Sequence, residues 1–406
     1  MFVIPKLICN FVAKTDVVMP KTAKKLKLVY LTPALYMAGG VERVLTLKAN
    51  YLAEHYDYDI SIILTEGKDK PFFYPLSPKI KVINLDINFE ELWTCSFIKK
   101  IFVYLKKQRL YRKLVEAELM RLRPDITISL LRREINFLTD IKDGSKKIGE
   151  LHVNRANYRN FSESDCNIFK AMFAKIWMHN LVSHLKKLNQ LVVLTEADKR
   201  SWHELNNVIV IPDPLSFVPS NHSQQKEKRV LAVARYSHEK GIDLLLRAWR
   251  VTEKENPDWR LDVYGDGDRT AYETLIDELG INRTKCALHG RTSDVEAEYV
   301  NSSIFVCSSR FEGFGLVMIE AMACGLPVVS FDCPWGPRSI ITNGEDGLLV
   351  ENGNIAEMAE RLSCLMSDEQ LRISMSQAGI CNSKHFNIER IAECWKSLFE
   401  TIGNNP

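Results

Sequence analysis

The 406-residue chain lacks several features that would place it in other classes of protein. Its ten cysteines are scattered singly, with no Cys-x-x-Cys spacing, and are predicted to be reduced core residues of a cytoplasmic protein. No apolar run approaches the ~18 residues that a membrane-spanning helix needs. The opening stretch MFVIPKLICNFVA is broken by Pro5, Lys6 and Asn10, so neither a spanning helix nor a good signal peptide is indicated. Residues 1–24 are therefore interpreted as an extension.

The small net charge of +3 conceals two halves of opposite sign. Residues 1–212 carry 34 Lys and Arg against 22 Asp and Glu (+12), whereas residues 213–406 carry 20 against 29 (−9). The basic excess is densest from Lys99 to Arg123, a segment that also contains Ile101, Phe102, Tyr104, Leu105, Leu110 and Tyr111. Such a segment could lie on anionic lipid, or could be a solvated helix packed onto its own domain. Nucleic acid is a weaker candidate partner, because no nucleic-acid motif accompanies the charge.

Apolar runs that alternate with helical stretches predict two doubly wound α/β domains. Strands of the first domain, residues 25–212, are expected at 26–31, 59–64, 81–85, 126–130, 147–151 and 191–194. Strands of the second domain, residues 213–385, are expected at 229–234, 259–264, 285–288, 304–307, 328–331 and 347–350. A polar stretch at 219–229 is the predicted linker. Residues 386–406 contain the last helix, predicted from Ile388 to about Ile402.

The string RFEGFGLVMIEAMACGLPVVS, from Arg310 to Ser330, is the most informative part of the chain. It places Glu312 in the loop after a buried strand and Glu320 about one turn into the following helix. Ligands bind at this edge of an open α/β sheet. Free amides at Gly315 and Leu316, together with the helix dipole, would suit a phosphate. The alternative is that both acids are merely solvated.

Two further turns have the geometry of a phosphate site. The first strand runs into Gly39-Gly40 and a helix, although most such turns are only turns. The strand at 229–234 ends in a loop with Arg235 and Lys240 five positions apart, so that both cations can reach one pyrophosphate. Two solvated loop cations are the alternative.

These motifs together resemble the signature of glycosyltransferase family 4, a retaining family of GT-B architecture. The resemblance rests on Glu-Gly-Phe-Gly at 312–315, Glu320, Ala-Met-Ala at 321–323, Gly-Leu-Pro at 325–327 and Val-Val at 328–329, and on Arg235 with Lys240-Gly241. It covers nearly all of the chain after about Val208. In the first half it is limited to the Gly39-Gly40 turn and the surroundings of His152.

The resemblance implies two Rossmann-like domains facing across a cleft, with the last helix crossing back to the first domain. It also implies donor-binding roles for particular residues: Glu312 for the sugar hydroxyls, Glu320 for the ribose, Arg235, Lys240, Gly39 and Gly40 for the diphosphate, His152 for the sugar, His289 and Arg291 for the turn around the base, and Gly313, Phe314, Gly315 and Leu316 for the loop at the donor. A neutral imidazole at His152 would suffice, because it can donate one hydrogen bond and accept another.

Asp266-Gly267-Asp268 matches the Asp-x-Asp pattern with which other glycosyltransferases hold a metal. In this chain the pattern lies in Tyr264-Gly265-Asp266-Gly267-Asp268, a glycine-rich loop that follows a strand. The resemblance matches this loop to that of metal-free GT-B enzymes, so no metal and no cofactor are expected. One departure from the family is Asp213, where Asn is common.

The segment Phe331 to Arg338 resembles members that build bacterial capsule, O-antigen or related lipid-linked glycans. The implied reaction moves a hexose or N-acetylhexosamine, with retention, from a nucleotide-diphosphate sugar. UDP is the favoured donor nucleotide, by resemblance. The acceptor would be a growing glycan, linked to polyprenyl pyrophosphate, at the inner face of the cytoplasmic membrane. A soluble-acceptor transferase, a nucleotide-sugar epimerase of the same fold and a non-catalytic scaffold subunit remain alternatives.

Overall fold

The computed structural model of the protein describes residues 25–94, 96–155, 158 and 168–404. The extension proposed for residues 1–24 lies outside this part of the chain. The described residues form the strands β1 Lys27–Leu31, β2 Asp59–Leu64, β3 Lys81–Asn84, β4 Ile126–Ser129, β5 Lys146–Glu150, β6 Gln190–Val193, β7 Val208–Val210, β8 Arg229–Val233, β9 Arg260–Tyr264, β10 Cys286–His289, β11 Ile304–Cys307, β12 Val328–Phe331 and β13 Gly347–Val350. Each strand predicted from the sequence is present, to within two residues at its ends.

The helices connect these strands in the alternating order typical of doubly wound domains. They are α1 Gly40–His55, α2 Phe97–Leu122, α3 Ile168–Leu185, α4 Glu196–Ser201, α5 Ile242–Glu255, α6 Thr270–Leu279, α7 Val295–Val300, α8 Leu316–Ala323, α9 Ile355–Ser367, α10 Glu369–Ser383 and α11 Ile388–Asn404. In α5, the residues Ile242, Leu245, Leu246 and Trp249 recur at helical spacing and form its buried stripe.

The strands form two separate sheets, and every strand pairing in both is parallel. The first sheet has the order β3-β2-β1-β4-β5-β6-β7, and the second has the order β10-β9-β8-β11-β12-β13. Central strands such as β4 and β11 are buried along their whole length, as expected of strands covered by helices on both faces. The predicted α/β architecture of two doubly wound domains is therefore confirmed.

The last helix packs on the first sheet although it follows the second in the chain. Ile391, Trp395 and Phe399 of α11 share one buried cluster with Leu28 and Ile60 of that sheet. The α11 helix therefore ties the end of the chain to the N-terminal domain.

The basic helix α2 has a buried half and an exposed half. Tyr111, Val115 and Leu119 are buried in the N-terminal domain, whereas Phe102 is 71% exposed and Ile101 is 46% exposed. The helix contains eight Lys and Arg against two Glu. Across the described part of the chain, no helix has both the length and the apolar character needed to cross a bilayer.

Candidate active site

The candidate site lies where the second sheet changes winding direction. Strands β8 and β11 are neighbours at the centre of this sheet, although β9 and β10 separate them in sequence. The loops at their carboxyl ends therefore diverge and leave a crevice, the usual ligand site of an open parallel sheet. The loop after β8 carries Arg235 and Lys240, and the loop after β11 carries Glu312.

Lys240 and Glu312 form an ion pair across this crevice. Lys240 Nζ lies 2.6 Å from Glu312 Oε1, and the same oxygen accepts a 2.6 Å hydrogen bond from Ser309 Oγ. Both side chains are largely buried. Burial alone would lower the pKa of Lys240, but the nearby Glu312 carboxylate outweighs it and raises that pKa. Lys240 is therefore held as a cation inside the crevice.

Arg235 occupies a different environment from Lys240. Its side chain is 69% exposed, and its Nη2 lies 3.0 Å from Glu239 Oε1 in the same loop. An exposed pair of this kind contributes little stability. The guanidinium of Arg235 is thus accessible to a ligand at the mouth of the crevice, whereas Lys240 lies inside.

The Glu312 loop is held close to the N-terminal domain. A Cβ on Gly313 would lie 2.7 Å from the carbonyl oxygen of His152, so a side chain here would push the two domains apart. Asn154 Nδ2 donates a 3.3 Å hydrogen bond to the Glu312 carbonyl oxygen. Gly315 has φ of +103°, a conformation that favours glycine, and immediately precedes α8.

The start of α8 faces the glycine turn of the other domain. A Cβ on Gly40 would meet Leu316 Cδ1 at 3.7 Å, and Gly39 lies just before α1. The first amides of a helix have no partner within it, so the amino end of α8 presents N–H groups at this cleft. The side chain of Phe314 is buried against Phe386, with ring centroids 5.7 Å apart, which leaves only its backbone available to a ligand.

Glu320 makes a contact between the domains. Its Oε1 lies 2.9 Å from Arg43 Nη1 on α1, and its Oε2 accepts a 3.1 Å hydrogen bond from the Tyr299 hydroxyl. Sequence reasoning did not assign Arg43 a role. Its position could have indicated a role, because Arg43 lies three residues after Gly40, on the first turn of the helix that follows the glycine turn.

His152 lies between two carboxylates. Its Nε2 is 3.2 Å from Glu150 Oε1, and its Nδ1 is 3.3 Å from Asp213 Oδ1. Burial alone would lower the pKa of His152, but Asp213 and Glu150 outweigh it and raise the pKa to about 9. The two carboxylates therefore favour the charged form of the ring, whereas the sequence argument required only a neutral imidazole.

His289 and Arg291 lie at β10, the edge strand of the second sheet, two strands from β8. The His289 ring stacks on Tyr264 at 4.3 Å between centroids, and its Nε2 is 2.8 Å from Asp262 Oδ1. Arg291 is hydrogen-bonded to Asp266. These two residues form a separate cluster from Lys240 and Glu312.

The Asp-x-Asp sequence is engaged locally. Asp266 pairs with Arg291, and Asp268 Oδ1 accepts hydrogen bonds from the backbone N–H and the hydroxyl of Thr270, at 2.9 and 2.7 Å. In the described ranges there is no group of three or more His, Cys, Asp or Glu residues that could hold a metal ion.

A second ion pair, which sequence reasoning missed, braces the Glu312 loop. Arg310 donates to both carboxylate oxygens of Asp243, at 2.8 and 2.7 Å. A bidentate pair of this type fixes geometry as well as adding energy. It links the loop after β11 to the first turn of α5. No spacing in the sequence indicates it, because the partners are 67 positions apart.

Two doubly wound domains that meet at this cleft define the GT-B class of transferase. A family model described as "Glycosyl transferases group 1" matches residues 216–380. An uncharacterized glycosyltransferase of Haemophilus influenzae is 32% identical over 372 residues, which cover 89% of this chain and 96% of the relative. The chain therefore belongs to the group 1 glycosyltransferases, and it is an enzyme that transfers a sugar.

Other relatives have more specific names. The amylovoran biosynthesis glycosyltransferase AmsD of Erwinia amylovora is 26% identical to this chain, and the matched region covers 92% of this chain and 99% of the relative. The GalNAc-α-(1→4)-GalNAc-α-(1→3)-diNAcBac-PP-undecaprenol α-1,4-N-acetyl-D-galactosaminyltransferase of Campylobacter jejuni is 26% identical, over 90% of this chain and 96% of its own. A structure of S. aureus TarM with fondaparinux, α-GlcNAc-glycerol and UDP has the same fold, with a TM-score of 0.70, 19% identity and 92% and 99% coverage.

Proposed function

We propose that the protein is a retaining glycosyltransferase of family 4, which moves a hexose or N-acetylhexosamine from a UDP-sugar to a growing bacterial surface glycan. The observation that carries the proposal is the Lys240–Glu312 pair at the switch point of the second sheet, close to the glycine turn of the first domain. The cleft thus offers a cation, a carboxylate and helix amides within one crevice.

In this proposal, cations and backbone amides stabilise the leaving group. Transfer breaks the bond between the anomeric carbon and the diphosphate oxygen, and joins that carbon to an acceptor hydroxyl oxygen. The hydroxyl proton passes to the departing diphosphate, on which negative charge accumulates. Lys240, Arg235 and the amides of Gly315 and Leu316 would stabilise that charge, and no metal ion would be needed.

Carboxylates hold the two ends of the donor. Glu312 would bind sugar hydroxyls, and Glu320 the ribose. Both already accept contacts, Glu312 from Lys240 and Ser309, and Glu320 from Arg43. Carboxylates that are already held by these contacts are better suited to binding the donor than to attacking it as nucleophiles. This supports retention of configuration without a covalent intermediate. Retention predicts that the product keeps the anomeric configuration of the donor, which NMR of the product measures.

The names of two compared proteins support the choice of donor and acceptor. UDP is present in the TarM structure, and the Campylobacter jejuni relative is named for an undecaprenyl-pyrophosphate-linked substrate. A lipid-linked acceptor would place this enzyme at the inner face of the cytoplasmic membrane. The exposed apolar side chain of Phe102 among the cations of α2 supports peripheral contact with anionic lipid.

The donor site is tested with Arg235→Ala combined with Lys240→Ala. Loss of two phosphate-facing cations should lower kcat/KM for UDP-sugars by at least about 100-fold, because the leaving group loses its charge stabilisation. The matched control is Arg247→Ala with Lys254→Ala, which removes two exposed cations of α5. Wild-type turnover in the Arg235 and Lys240 double variant would disprove this site assignment.

Membrane contact has its own test. Sedimentation with phosphatidylglycerol vesicles should retain the wild type, whereas phosphatidylcholine vesicles should not. Phe102→Asp should weaken binding to the anionic vesicles, and Val251→Asp, at an exposed position of α5 in the other domain, should not. If both variants bound the anionic vesicles equally well, α2 would not be the membrane-binding surface. Transfer that persists without a lipid-linked acceptor would instead indicate a soluble acceptor.

A further inference from the structure

A line of four alternating charges runs through the interior beside the cleft. Lys48 Nζ on α1 contacts Glu150 Oε1 at the end of β5. The same Glu150 oxygen lies 3.2 Å from His152 Nε2, and His152 Nδ1 lies 3.3 Å from Asp213 Oδ1. We call these four residues the ionic chain. Only His152 has a role in the proposed transfer.

The ionic chain is buried along its whole length. The side chains of Lys48, Glu150, His152 and Asp213 are 0, 3, 6 and 8% exposed. Isolated charges are very unfavourable at such depth, so buried ions occur in compensating sets. Two cations and two anions compensate here when Lys48 and His152 are both protonated; burial lowers the pKa of Lys48, and Glu150 only partly offsets this. Removal of any one member would leave an unpaired charge in the interior.

The geometry favours the protonated form of the ring. Each nitrogen of His152 lies within ion-pair distance of a carboxylate, although neither makes a hydrogen bond of normal geometry. A positive charge on the ring is attracted to both carboxylates, so their position stabilises the imidazolium over the neutral imidazole. Burial would raise the pKa of Glu150, but Lys48 and His152 outweigh it and lower that pKa to about 2. Glu150 is therefore an anion throughout the neutral range.

The surroundings of the ionic chain come from several parts of the fold. Lys48 lies 3.9 Å from the ring centroid of Trp395 on α11 and 5.4 Å from that of Tyr30 on β1. Burial, with a smaller contribution from Glu150, raises the pKa of Tyr30 well above its ordinary value, so this residue stays neutral. The titratable groups identified around His152 are thus Glu150, Asp213, Lys48 and Tyr30.

The backbone that carries His152 faces the other domain. Its carbonyl oxygen packs against Gly313, and Asn154 donates to the carbonyl oxygen of Glu312. Residues 152–154 therefore form the N-terminal domain's side of the contact with the Glu312 loop. A change in the position of the imidazole would move this contact.

We propose that Lys48, Glu150 and Asp213 are positioning residues, which hold His152 as a buried imidazolium and so fix residues 152–154 against the Glu312 loop. Asp213 supplies the second anion of the ionic chain, and an amide at this position would leave Lys48, Glu150 and His152 out of balance. The consequence for rate rests on the proposed sugar transfer, whereas the protonation state does not.

The protonation state is measured first, on the wild-type protein and without substrate. NMR of protein labelled at histidine, with the His152 signal assigned by its loss in His152→Gln, should show both ring nitrogens protonated at pH 7.5. The titration midpoint should lie within about one unit of 9, as expected for an imidazole facing two anions. A lower midpoint would overturn the proposal, and this result needs no active enzyme.

Asp213→Asn then tests the link to function. Loss of one facing anion should lower the His152 midpoint by about 1 to 3 units. The kcat/KM of the variant should come closest to that of the wild type at pH 6 and should fall as the pH rises through the lowered midpoint, by about tenfold one unit above it. Asp258→Asn, an exposed position near Lys228, is the matched control and should keep the wild-type profile.

Two outcomes separate this proposal from neighbouring ones. An Asp213→Asn variant with an unchanged His152 midpoint and an unchanged pH profile would contradict the positioning role. If Asp213→Asn does not fold, Lys48→Met with Glu150→Gln removes an opposite pair and should likewise lower the midpoint. Failure of every UDP-sugar to react would reject the proposed function, yet leave the NMR result for His152 intact.

Discussion

At the residue scale, Glu312 is the most constrained side chain of the candidate site. One carboxylate oxygen accepts hydrogen bonds from both Lys240 and Ser309, and the backbone carbonyl oxygen accepts one from Asn154. These contacts hold the carboxylate in a single position before any donor arrives. A preorganised group of this kind loses little entropy on binding, which favours catalysis.

Glu312→Gln should therefore impair turnover more than folding. The amide keeps the size of the side chain but removes the charge that pairs with Lys240 and that would bind sugar hydroxyls. A charged hydrogen bond is worth about 1.5–3 kcal/mol, so kcat/KM for the donor should fall roughly 10- to 150-fold. Steady-state kinetics measure this fall, with Glu278→Gln on the exposed face of α6 as control. Equal losses in both variants would contradict the role.

His152 also predicts how stability depends on pH. Its folded pKa of about 9 lies above the ordinary value of 6.5, so protonation stabilises the fold fully below about pH 6.5. That contribution, on the order of 3 kcal/mol at most, is lost as pH rises to 9. Denaturant unfolding at pH 6.5 and 9 measures it. The same comparison in Asp213→Asn should show a smaller change, and an equal change would exclude His152 as the source.

At the element scale, α11 performs a task that its place in the sequence does not suggest. It follows the second domain, yet Trp395 and Phe399 complete the core of the first, and Trp395 covers the buried ammonium of Lys48. The helix therefore links the two domains and shields the ionic chain from water.

Trp395→Ala should destabilise the protein strongly. Removal of a fully buried aromatic side chain costs about 3–5 kcal/mol, and here it also uncovers Lys48. The midpoint of urea unfolding measures the loss. Glu389→Ala, at an exposed position of the same helix, should change stability by about 0.5 kcal/mol or less. A similar small change for Trp395→Ala would show that α11 does not stabilise the first domain.

At the scale of the whole molecule, the two domains touch beside the candidate site. Arg43 pairs with Glu320, Gly313 packs against the His152 carbonyl, and Asn154 contacts the Glu312 loop. Each contact involves a residue assigned to the donor site or next to one. If the proposed donor site is correct, the same contacts would couple donor binding to the relative position of the domains.

Gly313→Ala should separate the domains slightly without unfolding either. The new methyl group would lie 2.7 Å from the His152 carbonyl oxygen, which forces the two loops apart. A displacement of about 1 Å at a catalytic contact can cost on the order of 100-fold in rate, so kcat/KM should fall about 10- to 100-fold. Gly403→Ala, where the added methyl meets only Leu26 at 3.8 Å, is the control. Unchanged kinetics in Gly313→Ala would show that this contact is irrelevant to transfer.

All strands except β7, their order along the chain and the loops at their carboxyl ends were predictable from the sequence alone. Apolar runs of four to six residues, separated by glycine turns and helical patterns, indicate buried parallel strands because a strand covered by helices on both faces must be apolar along its whole length. The loops with Lys240 and Glu312 follow from the same logic, since carboxyl ends of parallel strands share one edge. The shared edge brings the two loops together, but the 2.6 Å pair itself was not predicted.

Only the tertiary structure decided which charges face each other across the domains. Arg43 and Glu320 are 277 positions apart, and the partners of His152 come from a strand and an interdomain segment. No periodicity encodes such pairs, because they depend on how two separately folded sheets are oriented. The charge on His152 has the same origin: burial alone favours a neutral ring, and the position of Asp213 reverses that preference.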